Sequence, residues 1–198
     1  MGKKFTKIPT TTFQELVMNA GVILNSFTPA NAVAPSDETI VGATSGGINF
    51  TATPTYKDYG EDIDGCPKNT KELKDIDSWE VKLSGTYATM KPTLAKDLVA
   101  AADVDGTNTD KVTPRTTLSL NDFKDLWFVG DYSDKTGATN GGYMAVHIIN
   151  ALSTGGFAIQ TTDKEKGKYA FEYTGHASLS QQDVVPFEIY IHKGEAEA

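Results

Sequence analysis

Eleven residues constrain this chain more than any others: Trp79-Glu80-Val81-Lys82-Leu83-Ser84-Gly85-Thr86-Tyr87-Ala88-Thr89. Side chains of a strand alternate between faces with period two. Trp79, Val81, Leu83 and Tyr87 therefore share one face, and Glu80, Lys82, Ser84 and Thr86 share the other. The pattern predicts a long strand with one side in a core and one side polar. A helix of this sequence would scatter both sets around its axis.

More segments of the same kind follow. Residues 13–24 carry an apolar run that ends in a strand near Gly21–Leu24. Gly46–Thr53 reads as a strand, with Ile48, Phe50 and Ala52 alternating with Asn49, Thr51 and Thr53. Leu126–Val129, Tyr143–Asn150, Phe157–Thr162, Tyr169–His176 and Val185–His192 complete the set, mostly separated by Gly-rich turns. In the last of these Val185, Phe187, Ile189 and Ile191 align. One helix is expected at Leu94–Asp103, capped by Thr93, with Leu94, Leu98, Ala101 and Ala102 on one stripe. Residues 25–38, with two prolines, read as a loop. Seven or eight strands and a single helix predict a mainly β domain, a β-sandwich or partly closed barrel with the helix packed on its flank.

Between the strands at 46–53 and 79–89 lies a segment, 54–76, punctuated by Pro54, Gly60, Gly65 and Pro67. Structureless connections longer than about 12–15 residues are uncommon in compact domains and are usually functional or disordered. This one retains Tyr56, Tyr59, Ile63, Leu73 and Ile76, so it reads as an ordered loop that seeks a partner. Residues 1–12, basic and Thr-rich, read as an N-terminal arm, and 193–198 as a C-terminal tail. The whole chain of 198 residues fits one domain.

Composition narrows the chemistry. The net charge is −8 and Arg115 is the only arginine, which argues against tight phosphate-driven binding of nucleic acid. No apolar run approaches the roughly 20 residues of a membrane helix. Lys3 and Lys4 are not followed by the apolar core of a signal peptide, so cytoplasmic synthesis is the expectation. The single cysteine, Cys66, has no intrachain disulfide partner. With only three scattered histidines, His147, His176 and His192, it makes a poor zinc ligand set, and no cofactor is expected.

Apparent motifs weaken on inspection. Asp103–Asp110 is similar to a calcium loop, but aligned on Gly106 its first position is Ala101 and its twelfth Val112, so the ligand set fails at both ends. Asp58, Glu61, Asp62 and Asp64 bring four carboxylates together, which suits a solvated face or ion pairs with a neighbouring chain better than a glycosidase. No G-x-S-x-G elbow, H-E-x-x-H or P-loop occurs, and no enzymatic activity is expected. His147, between Val146 and Ile148, reads as a packed, hydrogen-bonded histidine. Asn49-Phe50-Thr51 matches a glycosylation sequon that carries no weight without a secretory signal. Tyr169, Phe171 and Tyr173 could form a sugar-binding platform, but with a polar opposite face they read more simply as core. A monomeric carbohydrate- or ligand-binding module is thus the alternative reading.

Four strings in order carry a resemblance: Gly46-Gly47-Ile48-Asn49-Phe50 leading to Tyr59-Gly60-Glu61-Asp62-Ile63-Asp64, the strand from Asp77 to Thr86, Asn150–Phe157, and Val185-Pro186-Phe187-Glu188-Ile189-Tyr190-Ile191. Through them the chain, from about residue 13 to 194, resembles the major tail proteins, or tail tube proteins, of long-tailed phages and prophages of Gram-positive bacteria. The resemblance implies a sandwich-like domain with one flanking helix. It also implies six subunits to a ring, rings stacked into a tube, a sheet lining the lumen, and a long loop with the terminal arms joining ring to ring. Partners implied are the subunit itself, tape-measure and tail terminator or completion proteins, and DNA in transit without tight binding. The place implied is the phage tail of the virion, after assembly in the bacterial cytoplasm. Asn49, Thr51, Thr53, Glu80, Lys82, Ser84 and Thr86 are then candidates for the lumen, a hydrophilic and on balance negative surface. Tyr56, Tyr59, Asp62, Ile63, Asp64 and Leu73 are candidates for ring stacking.

Overall fold

The computed structural model describes residues 8–135 and 141–195. Most of the N-terminal arm and the end of the C-terminal tail lie outside the described residues. The chain is mainly β, 45% strand, and its sheets do not close into a barrel. Ten strands are described: β1 (Val17–Leu24), β2 (Thr44–Asp58), β3 (Lys74–Tyr87), β4 (Ala102–Val104), β5 (Val112–Pro114), β6 (Lys124–Tyr132), β7 (Tyr143–Ser153), β8 (Ala158–Gln160), β9 (Lys168–Thr174) and β10 (Phe187–His192). The α-helix, α1 (Pro92–Val99), follows β3.

Eight strands form one antiparallel sheet folded into two layers. β1, β6, β7 and β10 make one layer, and β2, β3, β9 and β8 the other. β7 belongs to both. Its first part pairs with β6 and β10, and its last residues, Leu152 and Ser153, pair with Thr174 and Tyr173 of β9. The change of layer falls at Asn150, whose φ of 50° puts a kink where the β6–β7 register slips. An irregularity of this kind bends a strand and lets it turn a corner between sheets. Two bonds hold the kink: Asp125 accepts from the Asn150 amide at 3.0 Å, and the Asn150 side chain donates to the His176 carbonyl at 3.1 Å.

The layers close on Val81, Leu83, Tyr87, Val146, Ile148, Phe171 and Tyr173, with Leu94 and Leu98 of α1 sealing one side. The alternation of the 79–89 segment is thereby realised, Trp79 being half-buried and the rest of its row buried. Burying a Val, Leu or aromatic side chain contributes roughly 1.5–3 kcal/mol. Phe171 and Tyr173 are core, not a platform. Gly85, opposite Phe171 in the ladder, is small of necessity, because a Cβ there would lie 2.8 Å from the Phe171 ring. The outer face of the β1–β6–β7 layer has its own cluster, Leu24, Trp127, Val129 and Ala145, covered by Phe27 and Ile40 of the 25–40 segment. His147 lies on this outer side. Its ring stacks on Trp127 at 4.1 Å, and Asp125 and Glu188 each approach a ring nitrogen to 3.4 Å.

Several expected boundaries are corrected. β1 begins at Val17, four residues early, through a bulge in which Asn19 and Gly21 take positive φ. The helix is shorter than expected and is not capped by Thr93. Pro92 occupies its first turn after Lys91, and it stops at Ala100, φ 67°. Ala101 and Ala102 leave the helical stripe because β4 pairs with β5, an arrangement held by Arg115, which bonds Asp103 at 2.9 Å and Asp122 at 2.5 Å. Phe187 alone of its aligned row reaches the core. Ile189 and Ile191 are exposed on β10, which among the described residues is an edge strand paired only with β7.

Candidate functional site: the projecting β2–β3 hairpin

The segment expected to be a loop is mostly strand. β2 and β3 pair from Thr44 and Tyr87 out to Asp58 and Lys74, leaving only 59–73 as a connection, with a short 3-10 turn at Lys71–Leu73. β3 pairs with β9 from Lys82 onward only. Outside that contact, from Thr53·Glu80 to Asp58·Lys74, the hairpin has no other strand beside it among the described residues. It is an arm that leaves the sandwich, packed on Phe187 through Trp79 at its base and exposed on both faces beyond it.

One face carries all seven lumen candidates. Directly opposed residues of an antiparallel ladder share a face. Asn49 faces Ser84, Thr51 faces Lys82 and Thr53 faces Glu80, while across the next ladder Lys82, Ser84 and Thr86 face Thr174, Glu172 and Ala170. Thr55 and Ser78 continue the row with their hydroxyls 2.5 Å apart. Lys82 bonds Glu80 at 2.5 Å, and that carboxylate holds its ammonium above the ordinary lysine range. The expected negative balance is absent here. Glu80, Glu172 and Asp75 are matched by Lys57, Lys82 and Lys168 at register positions of the same face, and hydroxyls dominate.

The other face carries the apolar row of the core out into solvent. Trp79 and Phe50 meet Phe187 at 5.4 and 5.8 Å. Beyond them Tyr56 pairs with Ile76, 59% and 47% exposed. Ile76 is out of phase with Trp79, Val81 and Leu83. It reaches their face because the ladder slips between Thr55 and Tyr56, leaving Asp77 as the extra residue of a bulge. That phase break was the sequence signal for the bulge. The Lys74 ammonium sits 5.0 Å from the Tyr56 ring centre and Lys57 the same distance from Tyr59, within cation–π range.

The tip is ordered by local bonds. The Asp58 carboxylate accepts from the amides of Gly60 and Asn69, each at 2.9 Å, and these bonds hold its pKa below the usual carboxylate range. Tyr59 donates its amide to Leu73 at 2.9 Å, and Thr70 its hydroxyl to Pro67 at 2.7 Å. Leu73 differs from the expectation. It is half-buried inside the tip, where it packs beside Gly60, whereas Tyr59, Asp62, Ile63 and Asp64 are exposed.

Elsewhere, an apolar cleft of about 510 Å³ lies between β1–β6 and the 27–35 segment. Among the described residues no helix is long and apolar enough to cross a membrane, and no group of three or more His, Cys, Asp or Glu is placed to hold a metal. In the Asp103–Asp110 loop, Asp105 already accepts from Thr107 and Asn108 at 2.8 and 3.1 Å, with Lys111 at 3.6 Å. No family model matches the chain, and no curated protein does.

Proposed function

We propose that this chain is a non-enzymatic structural subunit that polymerises, as rings of six stacked into a tube, to form the tail tube of a phage virion. The observation that carries the reading is the β2–β3 arm, with a hydroxyl-rich, charge-balanced face on one side and an exposed apolar row on the other. An isolated two-stranded ribbon is marginal in water, so an arm with apolar residues exposed gains from contact with a neighbour. A face of hydroxyls and compensated charges offers DNA neither the cationic grip that would hold it nor an apolar surface, and suits a conduit. Tape-measure and terminator proteins would meet the inside and the end of such a tube. The test is sedimentation and negative-stain microscopy of the purified protein from micromolar to millimolar concentration. Annular or tubular particles that grow with concentration are expected. A strictly monomeric protein throughout would overturn the reading in favour of a binding module.

A further inference from the structure

His147 of β7 stands between two carboxylates. Asp125 of β6 approaches its Nε2 and Glu188 of β10 its Nδ1, each to 3.4 Å, and the ring lies on the Trp127 indole, 6° from parallel. The side chain is 15% exposed, and Nε2 is closed to solvent without a partner in good hydrogen-bond geometry. From β6 the ring thus faces Asp125 and Trp127. From β10 it faces Glu188, whose carboxylate also accepts from the Tyr190 hydroxyl at 2.6 Å. That hydroxyl, ahead of other causes, holds the Glu188 carboxyl below the usual range. The 25–40 segment adds Phe27, packed on Trp127. Neither carboxylate has a lysine or arginine within ion-pair distance among the described residues.

An ionised carboxylate can only accept a hydrogen bond. A neutral imidazole has one N–H and one lone pair, so it serves Asp125 or Glu188 and turns its lone pair on the other. The imidazolium has two N–H groups and serves both. It also gains from lying on an indole face. The arrangement therefore distinguishes two charge states of one ring.

The difference reaches the corner of the sandwich. The other oxygen of Asp125 accepts from the Asn150 amide at 3.0 Å, at the kink where β7 passes from one layer to the other. The Asn150 side chain in turn donates to the His176 carbonyl at 3.1 Å, just past β9. Glu188 lies opposite His147 in the β7–β10 ladder. A second ring also touches the kink, because His176 Nδ1 lies 3.2 Å from the Asn150 carbonyl. That contact asks for one N–H, which a neutral ring already supplies.

We infer that His147 is a pH-sensitive latch on the corner that joins the two layers. With protons on both nitrogens the ring ties β6, β7 and β10 together and steadies the Asn150 kink. On losing one proton it lets go of one carboxylate. The contribution is present at mildly acidic pH, while the carboxylates stay ionised, and is lost as pH rises through the titration of the ring.

Histidine side chains titrate between about pH 5 and 8, so the full chain is melted at pH 5.5 and 8.0 as wild type and as His147→Gln. A glutamine amide cannot switch charge. The variant is expected to melt about 3 °C or more below wild type at pH 5.5 and within about 1 °C of the wild-type difference from zero at pH 8.0. In 1H–15N spectra of the wild type the Asn150 amide should move with the same midpoint as the His147 ring. In His147→Gln that movement should vanish while His176 still titrates. An equal melting difference at both pH values would reduce His147 to packing and overturn the latch. So would a wild-type Asn150 amide that ignores the His147 midpoint, a result that needs no variant.

Discussion

At the scale of single residues, two groups show how local chemistry is used here. The buried Tyr87 hydroxyl has no partner in good hydrogen-bond geometry among the described residues, and burial, with the Tyr173 hydroxyl nearby, pushes its pKa well up. A buried polar group without a partner costs roughly 1–3 kcal/mol in lost hydration, so removing the hydroxyl while keeping the ring removes that cost. Tyr87→Phe is therefore expected to leave the melting temperature unchanged or raise it. A fall of more than a few degrees would mean that the hydroxyl has a partner after all. Asp58 works the other way. Its carboxylate is the hub of the hairpin tip, and its depressed pKa means that the tip order it supplies is complete above the ordinary carboxylate pKa of about 3.9 and is lost as pH falls through the lower folded value. In 1H–15N spectra the Gly60 and Asn69 amides should hold their positions from pH 7 down to about 4 and move toward unstructured values below. Asp58→Asn should produce that movement at pH 7. Unaltered amide shifts and exchange in the variant would remove Asp58 from this role.

At the scale of elements, the β2–β3 arm separates into a paired stem and a decorated tip. The stem's last pair is Asp58 with Lys74, and a two-residue Asn-Gly turn closes such a ladder without strain. Replacing 59–73 by Asn-Gly should keep the cooperative melt within a few degrees of wild type, because neither the sandwich core nor the stem pairing is touched. On the tube reading the same variant should lose tubes, since it removes Tyr59, and an aromatic anchor of an interface commonly costs about 2 kcal/mol or more when truncated. Tubes of normal length from the trimmed chain would show that the tip is not a stacking element. A collapsed melt would show that it belongs to the core.

At the scale of the whole molecule, several carboxylates between residues 103 and 122 are engaged by the protein's own groups. Arg115 bridges Asp103 and Asp122, and Asp105 takes two backbone amides and Lys111. These contacts engage Asp103 and Asp105, two of the three aspartates of the Asp103–Asp110 loop. Chelator followed by millimolar calcium should leave the melting temperature constant within about a degree. A drop of several degrees on chelation, recovered with calcium, would place a metal in the Asp103–Asp110 loop.

The strand faces were legible in the sequence because period-two alternation assigns a side without knowing the neighbour: Val81, Leu83 and Tyr87 had to share a face wherever the sheet lay. The same rule put Asn49, Thr51, Thr53, Glu80, Lys82, Ser84 and Thr86 on the opposite side, where the ladder has them. What alternation cannot carry is an inserted residue. Asp77 slips the register and delivers Ile76 to the apolar row, while pairing of β2 with β3 out to Asp58 and Lys74 makes most of an expected loop into an arm. The kink at Asn150 likewise depends on Asp125 and His176, which approach it only in the folded chain. Ala101 and Ala102 fit a helical stripe on local spacing, but pairing of β4 with β5, secured through Arg115, ends the helix at Val99. Local periodicity thus determined which residues face which way. Long-range pairing decided where the strands stop, which apolar residues remain in solvent, and that the β2–β3 tip projects beyond the sandwich.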